Sequence, residues 1–209
     1  MADCASCPSK DKCSPKDKAA CMLEENPDSN VKHVIAVASG KGGVGKSTVA
    51  TLLAWALRQK GLKVGLMDAD LTGPSIPRLL GVVDEKPVPL GNKILPVVGP
   101  EGLLVMSIQY LLDEETKPVI WRGPLLAGTV KQFWTEVVWG DLDALVIDLP
   151  PGTGDVPLTI LQSVPVDGVV MVALAQDMVS MVVQKAVGLV EEMNVPLLGV
   201  VENMTGLVC

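Results

Sequence analysis

Gly40-Lys41-Gly42-Gly43-Val44-Gly45-Lys46-Ser47-Thr48 fills every position of the phosphate-loop pattern G-x-x-x-x-G-K-S/T. Glycines let successive backbone N–H groups converge into a concave anion nest, and a helix N-terminus behind them adds positive potential. In such a loop Lys46 neutralises the outer phosphates and the Ser47 hydroxyl ligates Mg²⁺. The alternative is a glycine-rich turn that binds nothing. The apolar stretch before the loop and the amphipathic stretch after it argue against that reading, so a bound nucleoside triphosphate is expected.

Hydrolysing a triphosphate takes a metal, a positioned water and charge stabilisation, with little covalent work for the protein. Asp148 ends an apolar run, where a carboxylate can hold Mg²⁺ through water. Pro150-Pro151-Gly152-Thr153-Gly154 follows it and reads as a switch that senses the γ-phosphate with backbone N–H groups. Asp70 stands where it could orient or activate the attacking water, and Asp68 where it could support the metal shell. Either aspartate could instead cap a turn. Asn203 could read an adenine edge with its amide, or be a plain turn asparagine.

A second chemistry sits at the start of the chain. Cys4-x₂-Cys7-x₅-Cys13-x₇-Cys21 offers four soft ligands within a short stretch. They suffice for a [4Fe–4S] cluster or for tetrahedral zinc, and unliganded thiols are the third reading. Spacing alone does not separate soft metals.

The elements that must position these groups follow from periodicity. Residues 1–30 are polar and poor in large apolar side chains, so they form a flexible, cysteine-rich segment unless a metal organises them. Residues 31–209 alternate strand and helix patterns. Strands are expected at 34–39, 63–67, 103–107, 144–147, 168–174 and 197–201. Helices are expected at 47–60, 124–138, 156–163 and 178–193, with Gly61 and Gly140 as helix stops and Asp177 as an N-cap. Between 81 and 119, proline and glycine suggest a short helix end and hairpin-like strands. The alternation predicts an α/β fold, a doubly wound, mostly parallel sheet of the P-loop NTPase class. Ligands in such sheets bind beyond the carboxyl ends of the strands, where the loop, Asp70, Asp148 and Asn203 all fall.

Composition bounds the remainder. A chain of 209 residues holds one such domain plus an appendage. The net charge of −7 argues against a nucleic-acid footprint. No apolar run approaches the roughly 18–20 residues that span a bilayer, so no membrane partner is expected. The N-terminus lacks a basic and an apolar region of the signal-peptide kind. The expected compartment is therefore the cytosol, where clustered cysteines bind metal more often than they pair.

Lys41 is surplus to an ordinary phosphate loop. Its placement resembles the deviant phosphate loop of the ATPases related to MinD, ParA and the nitrogenase iron protein. That resemblance implies a lysine that reaches across a nucleotide-sandwich dimer to the partner's phosphates, much as an arginine finger does. A solvated loop lysine is the alternative. The wider resemblance is to the Mrp/ApbC family of iron–sulfur carrier ATPases. It is carried by residues 39–48, by Met67-Asp68-Ala69-Asp70-Leu71-Thr72-Gly73-Pro74-Ser75-Ile76-Pro77, by Trp121-Arg122-Gly123-Pro124, by residues 148–155 and by Glu202-Asn203-Met204. Together these stretches span residues 33–209. The resemblance implies a homodimer, or a heterodimer with a paralogue, that binds ATP and hands clusters to apo-proteins. It also implies the roles given above for Lys41, Lys46, Ser47, Asp70 and Asp148.

The pattern departs from the family in two places. Some members carry the same C-x₂-C-x₅-C spacing near the N-terminus with a fourth cysteine upstream, whereas Cys21 lies downstream. After Glu-Asn-Met the family usually has C-P-x-C-G, whose cysteines bridge a cluster across the dimer. Here Cys209 stands at the first of those positions and is the last residue, so the expectation is either a fragment or a variant without a complete bridging site. Cys209 is then a possible ligand of a bridging cluster or an idle thiol. Arg122 could line a dimer face, contact phosphate or simply start a helix, and His33 reads as a surface residue. Two competing functions use the same loop: a ParA/MinD-like positioning ATPase and an electron-transfer ATPase. The acidic charge and absent basic amphipathic tail count against the first. The lack of cysteine between 22 and 208 counts against the second.

Overall fold

A computed structural model of the chain describes residues 22–70, 73–111, 123–175 and 181–206. The elements in order are β1 (Ser29–Val31), β2 (Val34–Ser39), α1 (Lys46–Gln59), β3 (Val64–Asp68), α2 (Ile76–Leu80), β4 (Val88–Leu90), β5 (Lys93–Leu95), β6 (Val97–Val98) and β7 (Leu104–Ser107). They continue as α3 (Gly123–Thr135), β8 (Gly140–Leu142), β9 (Ala144–Asp148), α4 (Asp155–Ser163), β10 (Gly168–Leu174), α5 (Met181–Glu192) and β11 (Leu197–Asn203).

Seven strands form the central sheet in the order β11-β10-β2-β9-β3-β7-β6. All neighbours run parallel except β6, which is antiparallel to β7. Strands covered on both faces read as unbroken apolar runs, and β3 and β9 are buried at all five positions each. Alternation then splits their side chains between two cores. Leu145 and Ile147 join Phe133, Trp134 and Trp139 on one face, while Val146 joins Leu66, Ala50 and Ala54 on the other. Gly65 of β3 has no room for a side chain. A Cβ there would stand 2.7 Å from Leu142 Cδ1 and 2.9 Å from Leu145 Cδ1.

Because the strands run parallel, the carboxyl ends of β2, β3, β7, β9 and β11 share one edge of the sheet. Register makes this sharp, since Asp68 is the direct partner of Asp148 across β3 and β9. A mostly parallel, doubly wound sheet is thus what the alternation predicted.

Three local expectations give way. The helix over 124–138 ends at Thr135, because residues 136–138 turn extended to pair with β5. Ile94 N donates to Glu136 O at 3.0 Å and Val138 N donates to Ile94 O at 2.8 Å. Gly140, expected as the helix stop, instead opens β8 with φ 64°. The hairpin-like strands expected within 81–119 are present: β4 and β5 turn at Gly91 and Asn92, and β6 runs antiparallel to β7, which also pairs in parallel with β3. Residues 22–30, grouped with the flexible segment, are fastened to the domain: Leu23 N donates to Ser163 O at 2.8 Å, and β1 runs parallel to β8. The N-cap position Asp177 lies outside the described residues. Among the described residues, no helix is long and apolar enough to cross a membrane.

Candidate functional site

The chain leaves β2 at Ser39 and enters α1 at Lys46, and the loop between them depends on two left-handed residues. Gly43 has φ 79° and Gly45, the N-cap of α1, has φ 84°. Few residues other than glycine hold that conformation at low cost. Ser39 Oγ donates to the Lys41 carbonyl at 2.9 Å, closing the loop on its own strand.

The first turn of α1 carries Lys46 inward, where its side chain is 6 % exposed. Its Nζ donates to Asp148 Oδ1 at 2.5 Å, stands 3.6 Å from Asp70 Oδ2 and reaches Ser47 Oγ at 3.4 Å. Burial pushes the Asp148 carboxyl above its ordinary range, and the Lys46 ammonium opposes that rise. The other Asp148 oxygen, Oδ2, is buried without a hydrogen-bond partner. Asp68 is fully buried. Its oxygens accept the Ser107 hydroxyl at 3.1 Å and the backbone N–H groups of Asp70 at 3.2 Å and Ile76 at 3.4 Å. Burial, then repulsion from Asp148, pushes its carboxyl up to about 7.

The segment after β9 folds back onto the loop, with Gly152 N donating to Ser39 O at 2.8 Å. From the edge of the sheet, Asn203 Nδ2 donates to the Val44 carbonyl at 2.9 Å and its Oδ1 accepts Met204 N at 2.9 Å. Between these elements opens a cleft of about 320 Å³, lined by Lys41, Gly42, Gly43, Gly45, Lys46, Ser47 and Thr48 together with Asp70, Ser75, Leu79 and Pro151.

Thus the fold brings the loop, Asp68, Asp70, Asp148 and Asn203 to one place. Cys4, Cys7, Cys13, Cys21, Cys209 and Arg122 lie outside the described residues. His33 is exposed, with Nδ1 3.6 Å from Asp167 Oδ2. The residues near the site that sequence reasoning passed over are Ser107, Gln109 and Tyr110. Ser107 had a usable signal, being a polar residue that closes an apolar strand as Asp68 and Asp148 do. A hard divalent cation fits the donor set, which comprises the Ser47 hydroxyl, two buried carboxylates and an unpartnered carboxylate oxygen.

Comparison with known proteins points to the same class of protein. The model of the ParA-type family described as NUBPL iron-transfer P-loop NTPase matches residues 30–209. An iron–sulfur cluster carrier protein of Methanocaldococcus jannaschii is 46 % identical over 211 residues, which span 99 % of this chain and 72 % of that protein. One from Aquifex aeolicus is 52 % identical over 180 residues, 86 % of this chain and 49 % of that protein. Among solved structures, a nucleotide-binding protein of Archaeoglobus fulgidus in complex with ADP aligns with TM-score 0.75 and 45 % identity, over 86 % of this chain and 69 % of that one. The MinD cell division protein of Aquifex aeolicus aligns with TM-score 0.57 at 23 % identity, over 81 % of this chain and 68 % of that one, which shows a shared fold.

Sheet order and phosphate loop together define a P-loop NTPase. The chain belongs to the family of iron-transfer P-loop NTPases.

Proposed function

We propose that this protein binds and hydrolyses ATP and carries an iron–sulfur cluster that it delivers to apo-proteins in the cytosol, with two copies, or one copy and a paralogue, closing over the nucleotides. The observation that carries the nucleotide half is the buried Lys46 ammonium on Asp148 and Asp70 at the mouth of a glycine nest. A triphosphate in the nest offers Lys46 phosphate oxygens in place of the carboxylates. The pair then separates, and Asp148 becomes available to a metal. Ser47 Oγ and Asp148 would hold Mg²⁺, with Asp68 supporting the shell, and the ion would neutralise charge between the outer phosphates. Loop amides orient the phosphates, and Asp70, 14 % exposed beside Lys46, orients or activates the attacking water. Lys41 contributes in trans, where a second copy's cation meets charge developing in phosphoryl transfer.

The cargo half rests on the names of the relatives and on the four clustered cysteines. Cys4, Cys7, Cys13 and Cys21 are proposed to ligate a [4Fe–4S] cluster. One Cys209 per copy would offer two thiolates per dimer, fewer than the four such a cluster usually takes. Anaerobic reconstitution with iron and sulfide, followed by metal and acid-labile sulfide analysis per chain, tests this. The expected result is iron and sulfide in equal amounts on the wild type and their loss from a Cys4→Ser/Cys7→Ser variant. Zinc without sulfide would overturn the carrier reading.

A further inference from the structure

The tie between Asn203 and the phosphate loop spans 159 residues and joins the edge strand β11 to the start of α1. We propose that Asn203 is a positioning residue for the anion nest, holding the Val44–Gly45 peptide in the orientation that binds phosphate whatever base is attached. This rests on the nucleotide reading above and extends it.

The argument begins with the amide itself. A carbonyl oxygen faces one end of the Asn203 side chain and a backbone N–H faces the other. A carbonyl can only be met by a donor and an N–H by an acceptor, so the side chain has one satisfactory orientation, Nδ2 towards Val44 and Oδ1 towards Met204. The Val44–Gly45 peptide is planar and trans, so its C=O and N–H point in opposite directions. Anchoring the carbonyl on Asn203 therefore aims the Gly45 N–H away from Asn203. Gly45 lines the cleft.

That peptide needs an anchor. One of its two joints is the φ of left-handed Gly45, a torsion that turns cheaply because glycine has no side chain. Val44 is 1 % exposed, so its side chain is pinned in the core, and the carbonyl of the peptide after it accepts from Asn203. The approach is tight: a Cβ on Gly45 would stand 2.4 Å from Asn203 Nδ2. Glycine at this position thus serves two needs, a backbone with φ 84° and clearance for the asparagine amide.

Base reading and loop positioning differ in what they do to a ligand without a base. Binding of Mg²⁺-ATP and of inorganic tripolyphosphate is measured by calorimetry on the full chain, for wild type, Asn203→Ala and the near-isosteric Asn203→Leu, with ligand-free melting temperatures as a check on folding. The expected result is that both variants melt like wild type and lose about tenfold in affinity for ATP and for tripolyphosphate alike, the loss of one hydrogen bond that orders the site. A loss confined to ATP would make Asn203 a reader of the base and overturn the proposal. So would unchanged affinity for both ligands in a folded variant. If the wild type binds neither ligand, the nucleotide reading itself fails, a result distinct from both of these.

Discussion

Under α3, the indole N–H of Trp134 donates to Leu23 O and that of Trp139 to Phe133 O, each at 3.1 Å, and both rings are buried. At the carboxyl ends of β7 and β9 the pattern reverses. Gln109 has both amide atoms buried without a partner, as are the Tyr110 hydroxyl and Asp148 Oδ2, and Asp68 is driven up to about 7. Burying a polar group without a hydrogen bond costs stability, so native cores leave few such groups. Four of the five such atoms among the described residues gather at this edge of the sheet, the fifth being Asn26 Nδ2, so the fold gives up stability there. The aromatic core holds the molecule together, and the charged edge is where the proposed nucleotide chemistry would take place.

Substitutions at the two regions should separate these roles. The largest effect is expected for Lys41→Ala, which should retain ATP binding and lose hydrolysis by about a thousandfold if the lysine acts as a finger in trans. Equal steady-state phosphate release by variant and wild type would reduce Lys41 to a solvated loop residue. Next is Trp134→Ala in the satisfied core. It should cost about 3–5 kcal/mol in urea unfolding, through the cavity and the lost indole bond, while the folded variant keeps its ATP affinity. A variant of wild-type stability would show that this core does not carry the fold.

Lys46→Ala should weaken ATP binding about a hundredfold, the order expected for one charge-assisted contact to phosphate, with circular dichroism still reporting a folded chain. The last prediction is a pH dependence carried by Asp68. Its folded-state carboxyl is raised from an ordinary 3.8 to about 7, so between those values the folded protein keeps a proton that the unfolded chain releases. Stability of the nucleotide-free protein should therefore fall as pH rises from about 4 to about 7, then level off. Asp68→Asn should flatten that part of the slope; a slope unchanged by the substitution would move the titration to another group.

Much of this site was legible because its information is local. A run of glycines before Lys46-Ser47 announces an anion nest without reference to any other part of the chain. Asp68 and Asp148 each close an apolar run, so a parallel sheet sends both to the same edge. The element boundaries that went astray did so for tertiary reasons. Val137 and Val138 continue the helical spacing of 124–135, yet residues 136–138 leave the helix to meet Ile94, whose backbone groups would otherwise be unpaired. Ser29 and Asn30 fall in the polar segment read as flexible, and only the pairing of Ser29–Val31 with Gly140–Leu142 makes them part of a strand.

Residue type and short-range spacing therefore determined the chemistry on offer: a phosphate nest, two strand-end carboxylates, a surplus lysine and a group of thiols. Those are properties of a few neighbouring side chains and of backbone freedom at glycine. Tertiary structure alone decided which groups meet. Lys46 contacts Asp148 across 102 positions of chain, Asp68 takes its hydroxyl donor from Ser107, and Asn203 grips Val44. Contacts at that range are set by strand order, register and burial, which no local pattern encodes.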